Sequence, residues 1–188
     1  MMKSWFILSL ASAFVLSSCA TSSTSTTDAV CATCVAPETH ELQNEFNVKP
    51  AAKALEKGRN TIKGEAFMRK NNGDIVTCAG LEALLVPETA YSQERMSVIY
   101  GNTEKGYNSE TRCIKFIPDN CQYYATQGKS VCSSTGHFEF KNVKDGTYFV
   151  VALVPWEDSE KTRRGGAFME KVSVKGGIVK EIILTNNF

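Results

Sequence analysis

From residue 61 the chain alternates. In TIKGEAFMR (61–69), Ile62, Gly64, Ala66 and Met68 fall on one side of an extended backbone, and Lys63, Glu65, Phe67 and Arg69 on the other. That period of two predicts a strand with one face buried. Asn72-Gly73 is a turn signal, and DIVT (74–77) returns from it. LEALLVP (81–87), RCIKFIP (112–118), HFEFKNV (137–143), TYFVVALVP (147–155), AFMEKVSV (167–174) and IVKEIILT (178–185) read as further strands. ETAYSQERMSVIYG (88–101) predicts a helix capped by Thr89 and ended by Gly101. KPAAKALEKG (49–58) predicts a shorter one, with Pro50 at its start and Gly58 as its left-handed stop. PETHELQNEF (37–46) reads as a weak helix, and 102–110 as a polar loop. CQYYATQGKSVC (121–132) reads as a hairpin turning at Gly128. Seven to nine short strands with frequent turns predict an all-β sandwich decorated by one or two short helices.

The N-terminus has a different pattern. Lys3 precedes the 12-residue apolar run WFILSLASAFVL (5–16). That run is too short to span a bilayer, which takes about 20 residues, and reads as an export signal. Leu16-Ser17-Ser18-Cys19 resembles the lipobox of bacterial lipoproteins. The resemblance implies cleavage before Cys19 and acylation of that residue, giving a stable lipid anchor. Ala20, rather than Asp, resembles the default signal for the outer membrane. The expected location is therefore the bacterial cell envelope, with the membrane as a partner through the anchor. Residues 1–18 are read as signal peptide, 19–48 as a disordered tether rich in Ser and Thr, and 49–188 as one domain with an insertion at 88–133.

Composition narrows the possible partners. The net charge is +1, and loss of Lys3 with the signal brings it to 0. A neutral domain gives no reason to expect nucleic acid. Seven cysteines less Cys19 leave six, an even set that suits an exported, oxidised chain. The expected pairs are Cys121–Cys132 across the hairpin, Cys78–Cys113 tying the insertion down, and Cys31–Cys34 within the tether.

The stretch TGHFEFKNVKDGTYFVVALVP (135–155) resembles the carboxypeptidase regulatory-like domain, a transthyretin-like β-sandwich. Gly136, Phe138, Phe140, Val143, Gly146 and Tyr148 match its Gly-x-Phe-x-Phe and Val-x-x-Gly-x-Tyr elements. TIKGEAF resembles its first strand and VKGGIVKEIILT its last two. Phe138 and Phe140 are expected to point inward. Gly146 is expected to take a turn with positive φ, and Tyr148 to bury its ring while bonding its hydroxyl at the edge. The resemblance implies a small lipoprotein module rather than an enzyme. The same fold carries hydroxyisourate hydrolases, but those end in Tyr-Arg-Gly-Ser and this chain ends ILTNNF.

No stretch reads as an active site. His40 and His137 stand apart at no metal-ligand spacing. Cys31-Ala32-Thr33-Cys34 lacks the strand–helix setting of a redox motif. Gly128-Lys129-Ser130 lacks the earlier glycine of a phosphate loop. Residues 88–133 carry widely spaced acids and no histidine. The expectation is no catalytic residue, no metal and no cofactor. The charged loop PWEDSEKTRRGG (155–166) offers Trp156, Arg163 and Arg164 as a possible binding surface for an envelope protein or a glycan, and Tyr123 and Tyr124 offer a weaker one. The leading functional reading is a non-catalytic interaction or structural module. The alternative is a carbohydrate- or peptidoglycan-binding accessory, or an enzyme with its site in the insertion.

Overall fold

The computed structural model describes residues 37–109 and 112–186. Cys19, Cys31, Cys34 and the lipobox lie outside the described residues. Eleven strands are described there: β1 (Glu38–Glu41), β2 (Asn60–Arg69), β3 (Ile75–Thr77), β4 (Glu82–Pro87), β5 (Lys105–Ser109), β6 (Ile114–Ile117), β7 (Gly128–Val131), β8 (His137–Val143), β9 (Gly146–Glu157), β10 (Arg163–Val174) and β11 (Val179–Leu184). Three short helices join them: α1 (Val48–Ala54), α2 (Ala90–Tyr100) and α3 (Cys121–Ala125). The protein is an all-β sandwich.

A five-stranded sheet in the order β5-β10-β9-β4-β7 packs on a four-stranded sheet centred on β2. β11 pairs with β2 in parallel on one edge. β8 and then β3 pair antiparallel with successive stretches of β2. Ala66 marks their junction: its N–H donates to the Gly136 carbonyl, and its own carbonyl accepts from the Cys78 N–H.

Both faces of the five-stranded sheet are covered, which explains the unbroken apolar run of β9. Tyr148, Val150, Ala152 and Val154 point into the sandwich core with Ile62, Phe138, Phe140, Phe168 and Leu184. Phe149 and Val151 point the other way, into a second core with Leu42, Tyr91, Met96, Phe116, Tyr123 and Met169. The insertion supplies most of this third layer. A strand buried on both sides loses its polar alternation.

Several expectations hold at residue level. Thr89 caps α2 in a reciprocal box with Ser92, and Gly101 ends it at φ 76°. Phe138 and Phe140 are buried with ring centres 5.8 Å apart. Tyr148 is fully buried, and its hydroxyl donates to the Ala54 carbonyl at 2.8 Å and the Lys144 carbonyl at 3.0 Å.

Others are corrected. Of the residues read as tether and weak helix, Glu38–Glu41 form β1 and Val48 begins α1. β1 pairs in parallel with β6, so the free edge of β6 decides the conformation of that polar segment. Gly58 does not stop α1, which ends at Ala54 with Leu55 as its cap; Gly58 sits where a Cβ would collide with the Val143 carbonyl. Residues 105–109 are a strand rather than a loop, held against β10. Residues 121–132 are α3 followed by β7: the Asn120 side chain caps the helix, and Gly128 opens the strand instead of turning it. The expected 155–166 loop shrinks to 158–162, because β9 and β10 continue their ladder to Glu157 and Arg163. Gly146 begins β9 without a positive φ; the left-handed residue of that region is Asn142, at φ 57°.

The disulfides are also re-paired. Cys78 bonds Cys132, with Cα atoms 5.8 Å apart, in place of the expected Cys78–Cys113 and Cys121–Cys132. The reason is the helix at 121–125, which breaks the expected hairpin. Cys132 instead follows β7 beside β4, where its N–H donates to the Leu81 carbonyl and its carbonyl accepts from the Gly80 N–H. Cys113 and Cys121 are themselves disulfide-bonded.

Candidate functional site

The outer face of the four-stranded sheet is an ordered grid of side chains. Registers place Glu181, Lys63 and Glu139 in one cross-strand row, and Ile183, Glu65 and His137 in the next. Lys141 stands two residues beyond Glu139 on β8. Alternation creates this face: the partners of Ile62, Ala66, Phe138 and Ile182 on the core side are Lys63, Glu65, Glu139 and Glu181 on the other.

The charges are paired within the face. Lys63 Nζ lies 2.8 Å from Glu181, His137 Nε2 lies 2.7 Å from Glu65, and Lys141 Nζ lies 3.1 Å from Glu139. The hydrogen bond from Lys63, together with its charge, holds the Glu181 carboxyl below its usual range, and Glu181 raises Lys63 in return. His137 is tied at both ring nitrogens, since Nδ1 lies 2.9 Å from the Thr135 hydroxyl.

The edges of the other sheet complete the walls. On one side Ser130 Oγ of β7 accepts from the Glu139 N–H at 3.0 Å. On the other, Lys105 of β5 pairs with Glu170 of β10 at 3.2 Å and donates to the Ile183 carbonyl. These residues line an open cleft of about 1060 Å³. A smaller cavity of about 230 Å³ shares Glu139 and Lys141 with it and continues past Lys129 to Glu56 and Lys144. Val131 and Ile183 line the cleft as well, and both are exposed apolar side chains.

The residues singled out from sequence divide between the two layers. Trp156 and Arg164 do meet, directly opposite one another on β9 and β10, and Arg163 faces Glu157. Trp156 is half-buried against the sandwich core. Arg164 Nε pairs with Asp158 at 2.9 Å. Tyr123 and Tyr124 lie elsewhere, on α3, and neither offers a free outward ring. Tyr123 is buried, and the Tyr124 hydroxyl accepts from Arg95 and donates to Asp119.

Arg95 is what those two tyrosines serve. Its guanidinium lies over Phe116, Tyr123, Tyr124 and Tyr91, at 4.0, 4.6, 5.3 and 5.6 Å from the ring centres. Burial works against its charge, but the Tyr124 and Tyr123 oxygens and the Asp119 carboxylate outweigh it and hold Arg95 cationic. Its Nε is buried without a partner. The side chain fills a box of rings and ties α2, β6 and α3 of the insertion to one another.

The grid was not visible in sequence, because Glu65 and His137 meet only through the β2–β8 register. Among the described residues no three His, Cys, Asp or Glu side chains gather to hold a metal ion, and no helix is long and apolar enough to cross a membrane.

No family model and no curated protein matches the chain. A solved structure does share its fold: a putative carbohydrate binding protein from Pseudomonas aeruginosa, at 20% identity and a TM-score of 0.60. The match covers 76% of this chain and 99% of that one.

Proposed function

We propose that this chain is a lipid-anchored protein of the bacterial envelope whose sandwich is a non-catalytic binding module for a glycan. The observation that carries the binding reading is the walled cleft of about 1060 Å³ over the outer sheet face. Its lining is rich in hydrogen-bonding groups set on rigid strands, the arrangement that orients a polar ligand. The shared fold with a putative carbohydrate binding protein supports the choice of a glycan. Leu16-Ser17-Ser18-Cys19 and the oxidised Cys78–Cys132 pair support the exported location. A glycan array probed with the oxidised full-length chain tests the module. Retention of a defined glycan class supports it, and no retention on any class refutes it. Palmitate labelling tests the anchor; labelling that persists in Cys19→Ala would sink it.

A second reading rests on one contact chain. Thr135, His137 and Glu65 have the hydroxyl–imidazole–carboxylate order of acyl-transfer enzymes. The groups are open to water, which weakens such a relay, so this reading ranks second. Hydrolysis of p-nitrophenyl acetate that disappears in His137→Ala would promote it; equal rates in both proteins would remove it.

A further inference from the structure

We infer that the outer-face cleft recognises a glycan carrying a short peptide with both ammonium and carboxylate groups, an inference that rests on the glycan-binding reading above. The first ground is the pairing of the charges. Lys63–Glu181, Lys141–Glu139 and Lys105–Glu170 are neighbouring pairs of opposite sign that line one cleft, and His137 hydrogen-bonds Glu65 beside them. A ligand of a single sign would attract one member of each pair and be repelled by the other, which works against its selection. A ligand of both signs exchanges partners one for one.

The second ground is the balance. Glu65, Glu139, Glu170 and Glu181 stand against Lys63, Lys105 and Lys141, so the cleft has no positive field to gather a polyanion. The third is the placement of apolar side chains. Ile183 and Val131 are 53% and 65% exposed and come from β11 and β7, which flank β2 and β8 on opposite sides. They suit a ligand with apolar ring faces or methyl groups between its charges. The fourth is extent. The smaller cavity shares Glu139 and Lys141, so the lined surface runs on toward α1 and admits more than one sugar. Finally, β1 brings the chain in on the second core, across the five-stranded sheet from the cleft. The cleft is therefore on the face away from the point of entry.

The test is calorimetric titration of the oxidised full-length chain with four probes: a disaccharide–tetrapeptide, its free tetrapeptide, chitotetraose and a galacturonate oligomer. The expected result is tightest binding of the disaccharide–tetrapeptide, weakened at least tenfold in K63E/E181K, which swaps the charges of one pair. A melting scan checks that the swapped face folds; if it does not, Lys141→Gln carries the test, with the same loss expected. Chitotetraose or galacturonate binding as tightly as the peptide-bearing sugar would overturn this inference and leave the glycan module standing. So would binding unchanged in both variants. The free tetrapeptide binding equally well would overturn the sugar component. No probe binding at all would overturn this inference, and the glycan array then decides the module itself.

Discussion

The Arg95 guanidinium lies 4.0 Å from the centre of the Phe116 ring, and its Nη1 pairs with Asp119 at 2.7 Å. The second core thus closes over a cation. Removing the cation and removing its partner are different perturbations. Arg95→Met keeps the apolar volume and deletes the unpaired Nε, so its cost is at most about 1 kcal/mol. Asp119→Ala strands the cation and costs about 2 kcal/mol. Urea denaturation of both variants checks the order, and Arg95→Met proving the more damaging would contradict it.

Asn60 is fully buried and saturated. Its amide donates to the Val143 carbonyl and to Asp145, and its oxygen accepts from the Gly177 and Ile178 N–H groups. It ties the start of β2 to the β8–β9 and β10–β11 turns. Asn60→Ala leaves two N–H groups and a carbonyl unpaired, with an expected cost of about 2–4 kcal/mol. A melting temperature equal to the parent's would show that water replaces the clasp.

The Glu94 carboxylate accepts from the Gln43 N–H at 2.7 Å and from the Asn44 N–H at 2.9 Å. Burial alone would raise this carboxyl, but those hydrogen bonds outweigh it and hold it below its ordinary range near 4.5. A carboxyl depressed in the folded state adds stability above its unfolded value and loses it as pH falls through the folded one. Docking of residues 38–44 should therefore loosen below about pH 4.5. Proteolysis within 38–48 should rise there in the parent and be high at neutral pH already in Glu94→Ala. Cleavage indifferent to both would refute the clamp.

The Cys78–Cys132 bond spans 54 residues of chain. A loop of that length corresponds to about 4 kcal/mol of lost unfolded-state entropy, an upper figure because reduced chains retain structure. Cys78→Ala/Cys132→Ala should lower the melting temperature by several degrees. An unchanged value would place the bond's contribution elsewhere.

The sandwich was legible where the amphipathic pattern is local. β2, β8 and β11 alternate along their own length, and α2 carries both of its caps in its own sequence. What escaped depends on neighbours. KGYNS has no alternation to show, and becomes β5 only against β10. ETHE becomes β1 only beside β6. CQYYA is too short to declare a helix, and missing it misdirected the cysteine pairing. The outer sheet face was least legible: Lys63, Glu65, His137 and Glu181 look like ordinary solvated positions until register sets them side by side.

That β1 runs parallel to β6 has a mechanical consequence. Among the described residues, the ladder from Glu38 to Glu41 is the first that tension applied from the N-terminal side would meet. Traction along the strand loads its hydrogen bonds together, and the Glu94 clamp lies directly behind them. Peeling that segment away would uncover Leu42 and Phe46 while leaving the two sheets intact. Under such tension the β1 segment gives first, and the chain leading into the domain lengthens before the outer sheet face is disturbed.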